Sequence, residues 1–197
     1  FIDGQSVAPS GGEYFTSTNP ATLEVLYEAA RGNAEDVDRA VQAASRAFAS
    51  HAWASLSPTK RGHLLRRLGD LIGENAEELA MLESVDNGKL LREMRGQMQS
   101  LPEYYYYCAG LADKVQGAQI PTTSLEILNY TQREPLGVVG TITPWNSPMT
   151  LTTSKIAPAL AAGNTVVIKP SEYTSRTILR LAELASEAGF PDGVVNV

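Results

Sequence analysis

Along the chain the spacing of apolar positions changes three times. Residues 1–30 fall into short runs, "FIDGQSV", "YFTSTNP" and "EVLYEAA", broken by Gly11-Gly12, a pattern that predicts short strands and turns. From Asn33 to about Gln116 the period lengthens to that of a helix. Asn33 fits a cap for a helix whose apolar face is Val37, Ala40, Val41, Ala44, Ala47 and Phe48. Ser57-Pro58 reads as a cap and first-turn pair, followed by the stripe Leu64, Leu65, Leu68, Leu71 and Ile72. A short helix over 75–85 is ended by Asn87-Gly88. In the fourth segment Met94, Met98, Leu101, Tyr105, Cys108, Ala112 and Val115 recur at alternating spacings of four and three, and Pro102 is expected to break or kink it.

After Gly117 the pattern becomes extended. Leu125, Ile127 and Asn129 alternate with Glu126, Leu128 and Tyr130, which predicts one strand of a projecting hairpin. Then "LGVVGTITP" reads as a buried strand, 149–162 as a helix ended by Gly163, and "TVVIKP" as a second strand. Residues 174–188 form a further helix ended by Gly189, and "GVVNV" begins a third strand. Strand, helix, strand, helix, strand with short connections predicts a parallel sheet with right-handed crossovers. The expected class is α/β: an N-terminal helical segment, a projecting β arm, and the first half of a doubly wound, Rossmann-like sheet.

Composition narrows the function. With 43% hydrophobic and 19% charged residues the chain is globular, and its formal charge of −6 argues against nucleic-acid or anionic-membrane partners. No apolar run reaches the roughly 18 residues that a membrane helix needs. The lone Cys108 cannot form an intrachain disulfide, which points to a reducing compartment, the cytoplasm by default. The chain opens at Phe1 in a strand-like run and stops at Val197 in an apolar one, so it reads as a piece of a longer protein.

In a doubly wound sheet, ligands sit beyond the carboxyl ends of the strands. Here those ends are "TPWN" and "KPSE". No Gly-x-Gly-x-x-Gly turn accompanies them, because the glycines of "GVVGTI" lie within the strand. Lys169 and Glu172 flank Pro170. A carboxylate can accept from both hydroxyls of a ribose while an ammonium donates to them, although a solvated surface pair fits the spacing equally well. Asn146, after the rigid Pro144-Trp145 bend, can donate to a developing oxyanion or cap the following helix. Lys155, among small residues, reads as a snorkelling surface lysine. Cys108 shares its stripe with Met98, Leu101, Tyr105 and Ala112 and reads as a buried structural thiol. His51 and His63 lie far from both turns and read as surface or packing residues.

Together "NPATLEVL", "VDNGK" (85–89), "AGLADK" (109–114), "REPLGVVGTITPWNSP", "KIAPALAAGNTVVIKPSEYTS" and "AGFPDGVVNV" resemble the aldehyde dehydrogenase superfamily from the first residue to the last. The resemblance implies a coenzyme domain made of residues 1–116 and 136–197, and an arm over 117–135 through which subunits associate as a homodimer or homotetramer. It implies oxidation of an aldehyde to a carboxylic acid through a cysteine thiohemiacetal, with NAD, or alternatively NADP, as coenzyme. Asn146 would stabilise the oxyanion, and Lys155 matches a lysine often given a charge-relay role. Lys169 and Glu172, with Ser171 between them, would hold the adenosine ribose, and Ile142, Thr143, Pro144 and Trp145 would line the nicotinamide side. Ser17, Thr18 and Asp86 match a monovalent-cation site that works mostly through backbone oxygens. The family's nucleophilic Cys and general-base Glu lie farther along, after Val197, so this piece alone is expected to be inactive. The competing reading is a non-catalytic assembly or nucleotide-binding module of the same fold.

Overall fold

Capping and turn chemistry set most element boundaries. The computed structural model describes residues 1–197. A small antiparallel sheet of β1 (Tyr14–Thr18) and β2 (Val25–Ala30) is followed by five helices: α1 (Ala34–Ala49), α2 (His51–Ala54), α3 (Pro58–Glu74), α4 (Ala76–Asn87) and α5 (Leu91–Leu111). After residues 112–137 come β3 (Val138–Ile142), α6 (Pro148–Ala161), β4 (Thr165–Lys169), α7 (Arg176–Glu187) and β5 (Val195–Asn196). Asn33 closes a reciprocal capping box with Asp36 at the start of α1. Ser57 Oγ accepts the Lys60 N–H where Pro58 opens α3. Gly88, at φ +76°, ends α4 in the left-handed conformation that glycine adopts without strain.

The strands β3, β4 and β5 pair in that order, all parallel, with Ile142 opposite Lys169 at the carboxyl edge. Helices α6 and α7 connect them, and one buried apolar cluster runs from Ala47 to Val195 through α3, α5, α6, α7, β4 and β5. Helices α3 and α5 cross closely: a Cβ on Gly62 would stand 2.7 Å from the Ala109 carbonyl oxygen. Trp53 Nε1 donates to the Gly163 carbonyl at 2.9 Å, and the Tyr105 hydroxyl meets Thr153 Oγ1 at 3.2 Å, so buried polar atoms are partnered across elements. No helix is long and apolar enough to cross a membrane.

Five expectations change. In α1 the buried face is Ala40, Ala43, Ala44 and Ala47, while Val37 and Val41 point outward. The backbone of α1 comes close to its neighbours: Thr165 Oγ1 donates to the Ala44 carbonyl at 3.0 Å, and a Cβ on Gly193 would meet the Ala43 carbonyl at 2.7 Å. Only small side chains fit so near a backbone, and the valines are turned away. Helix α5 runs unbroken through Pro102, whose ring is buried near Gly73; packing of the Met94–Cys108 stripe outweighs the missing N–H. Val115, the last expected member of that stripe, lies beyond the helix and is exposed.

The expected arm strand is reduced to one bridge between Gln119 and Tyr130, with Ile120 N–H donating to Asn129 O and Thr131 N–H to Ala118 O. Leu125, Ile127, Leu128 and Tyr130 are exposed, and a ribbon with no face to bury gains little from further pairing. Likewise "FIDGQSV" forms a tight turn and not a strand. Asp3 and Gly4 both have positive φ, and Ile2 and Gln5 exchange backbone hydrogen bonds.

Candidate coenzyme and oxyanion site

Two loops leave neighbouring parallel strands at one edge of the sheet. The first, 143–147, follows β3; the second, 170–175, follows β4. Thr143 N–H donates to the Lys169 carbonyl at 3.2 Å, and Thr174 Oγ1 donates to the Trp145 carbonyl at 3.4 Å, so the loops are tied together at their bases. Asn146 and Lys169 therefore lie on the same rim, and both are exposed.

In the second loop Lys169 Nζ and Glu172 Oε2 stand 3.4 Å apart, both open to solvent. The Glu172 carboxyl is held below the usual range, first by its own backbone N–H and then by Lys169, so it is a carboxylate at neutral pH. Ser171 is buried and holds the turn: its Oγ accepts the Tyr173 N–H, and its carbonyl accepts the Thr174 N–H. It shapes the loop that carries Glu172.

In the first loop Ile142, Pro144 and Trp145 are exposed. Thr143 is buried, and its hydroxyl accepts from Thr152 Oγ1 of α6, so only its backbone faces the edge. The Asn146 side chain has no hydrogen-bond partner within the chain. The residue before α6 is Ser147, and its side chain does not cap the helix either. The capping role that competed for Asn146 is filled from elsewhere, leaving its amide free.

That other source is α4, whose Glu83 the sequence pattern does not single out and whose Asp86 it gives only a cation role. Glu83 is fully buried, and its Oε2 accepts the Met149 N–H at the start of α6 at 3.2 Å. Three residues on, Asp86 accepts from Tyr27 Oη at 3.0 Å, Ser17 Oγ at 3.1 Å and the Arg176 N–H, the first of α7, at 3.4 Å. Just after the helix, Lys89 Nζ donates to Ser147 Oγ at 2.6 Å. Burial pushes the Glu83 carboxyl up to about 7, and burial also raises Asp86. The available signal was two acids on the same inward face as Leu79 and Ala80.

Lys155 is not brought to these loops. It lies two turns into α6, exposed, with no hydrogen bond or ion pair in this chain. Ser17 and Asp86 are joined, but Thr18 is exposed. Three protein donors already occupy the Asp86 carboxylate, and no three of His, Cys, Asp or Glu cluster as metal ligands. Cys108 is buried in its stripe with its thiol raised by burial, which does not suit a nucleophile.

This edge, read with the rest of the chain, has known counterparts. The sequence model of the Aldehyde dehydrogenase family matches residues 7–197. The chain belongs to the aldehyde dehydrogenase family. Within it, the (Z)-2-((N-methylformamido)methylene)-5-hydroxybutyrolactone dehydrogenase of Acinetobacter baylyi is 46% identical over 187 residues, 95% of this chain and 38% of the relative. The NADP/NAD-dependent aldehyde dehydrogenase PuuC of Escherichia coli is 44% identical over 198 residues, 100% of this chain and 40% of the relative. Among solved structures, PnpE in complex with nicotinamide adenine dinucleotide matches at 46% identity with a TM-score of 0.96, over 100% of this chain and 40% of that one. This aldehyde dehydrogenase chain thus spans about two fifths of the length of the relatives it matches.

Proposed function

We propose that this chain is the coenzyme-side part of an NAD-dependent aldehyde dehydrogenase that oxidises an aldehyde to a carboxylic acid. The observation that carries the reading is the shared rim: an unpartnered Asn146 amide beside an open Lys169–Glu172 pair, on loops tied to each other. The residues fit the coenzyme. An ionised Glu172 accepts from a ribose diol, Lys169 donates to it, and Trp145 offers an exposed apolar surface. A carboxylate in that place repels a 2′-phosphate, which favours NAD over NADP. Bound there, the nicotinamide would take the hydride.

Asn146 would donate to the oxyanion that forms when a nucleophile attacks the aldehyde carbonyl. A donor with no competing partner needs no rearrangement at that moment. Cys108 is in the wrong environment to be that nucleophile; as the family resemblance implies, the nucleophile and general base belong to another part of the protein, and this chain alone is expected to turn nothing over. The exposed Leu125, Ile127, Leu128 and Tyr130 of residues 117–135 suit an arm laid against another subunit of a homodimer or homotetramer.

The test is aldehyde-dependent reduction of NAD by the intact protein. Asn146→Ala is expected to lower kcat roughly 100-fold with little change in coenzyme KM. Failure of a broad aldehyde panel to reduce NAD or NADP, or an Asn146→Ala variant with unchanged kcat, overturns the reading.

A further inference from the structure

Helices α6 and α7 each begin directly after a loop of the candidate site, and neither is capped by its own preceding side chain. The first N–H groups of a helix have no partner inside it, and a buried one left bare is costly. Both starts are served instead by a single turn of α4. Glu83 takes the Met149 N–H behind the Asn146 loop, and Asp86 takes the Arg176 N–H behind the Lys169–Glu172 loop. Tyr27 Oη, itself bonded to Asp86, accepts the Ser175 N–H at 3.3 Å. Lys89 holds Ser147 from the same segment. The acids are three residues apart, which puts them on one helix face.

A carboxylate of α4 is not required merely to end a helix. A Ser or Asp at either cap position would do so locally, with no buried charge. What the distant acids add is a common reference: the start of α6 and the start of α7 are both measured from one rigid turn. We propose that Glu83 and Asp86 are positioning residues that fix the spacing of the two coenzyme loops, Glu83 for the Asn146 loop and Asp86 for the ribose-holding loop. Each works through a helix start and touches neither coenzyme nor substrate.

The inference rests on the coenzyme reading above, so the experiment has one arm that does not need it. Amide hydrogen exchange is followed in the intact protein carrying Glu83→Leu or Asp86→Ala. Glu83→Leu should speed exchange at Met149 by roughly tenfold while Arg176 keeps its rate, and Asp86→Ala should do the reverse. The second arm titrates AMP, which carries only the adenosine ribose, and NAD, which spans both loops. Glu83→Leu should weaken NAD roughly tenfold and leave AMP unchanged; Asp86→Ala should weaken both. Glu83→Gln keeps a carbonyl acceptor for Met149 and should restore NAD affinity.

A purely structural role gives a different result. The variants would lower the denaturation midpoint yet bind AMP and NAD as wild type does, or Glu83→Leu would weaken AMP in the same ratio as NAD, and either outcome overturns the proposal. If wild-type protein binds neither ligand, the functional reading falls. The positioning claim is then decided by exchange alone, and equal protection of Met149 in wild type and Glu83→Leu sinks it.

Discussion

The two loops at the sheet edge leave adjacent strands, yet what stands behind them differs. Behind 170–175 the Asp86 carboxylate is saturated by Tyr27, Ser17 and the Arg176 N–H. Behind 143–147 the Glu83 carboxyl is fully buried and gives one oxygen to the Met149 N–H alone. In front the contrast reverses: Lys169 and Glu172 already pair with each other, whereas the Asn146 amide bonds to nothing in the chain. A saturated support with a paired front suits a loop that holds a ligand's sugar. A buried support with a free donor in front suits a loop that must meet charge appearing during a reaction.

Removing the saturated support should have the largest effect on stability. Asp86→Ala strands three donors at once and is expected to cost roughly 3–5 kcal/mol by chemical denaturation. A loss under about 1 kcal/mol would show that water replaces the carboxylate easily and that the two supports do not differ in kind.

Behind the first loop, pH is the sharper probe. The unfolded Glu83 ionises near 4.5 and the folded one near 7, because burial disfavours its charge. Between those values the unfolded chain has released a proton that the folded chain keeps, so raising the pH favours unfolding, by up to about 1.4 kcal/mol per pH unit from this group. Below 4.5 and above 7 its contribution is flat. Glu83→Gln removes this slope, and the variant should gain on wild type as pH rises through that window. Parallel stability curves would place the charge in a wetter site than the geometry shows.

Smallest is the expected change at the front of the second loop. Lys169→Ala and Glu172→Ala should leave the denaturation midpoint unchanged within error, since an exposed pair of this kind contributes little to folding. A clear drop would recast that pair as structural.

Much of this edge was legible beforehand. Apolar "GVVGTI" and "TVVIK" strands ended by polar turns gave the parallel sheet and its carboxyl edge, because buried strands and their turns are written in local residue choice. The misses share a cause. Val37 and Val41 obey the helical period but are turned out, because the close approach of β4 admits only alanine on that side, a constraint no local pattern carries. Glu83 drew no role from the sequence and Asp86 only that of a cation ligand, since the backbone groups they hold lie 66 and 90 residues away in sequence. The arm kept its exposure and lost its strand, for want of a face to pack.

The most direct test of the two-loop account is calorimetric titration of NAD into the intact protein, wild type against the Lys169→Ala, Glu172→Ala double variant. The account predicts measurable NAD binding by the wild type and at least about tenfold weaker binding by the variant, with folding undisturbed. Equal affinity in the two proteins would contradict it.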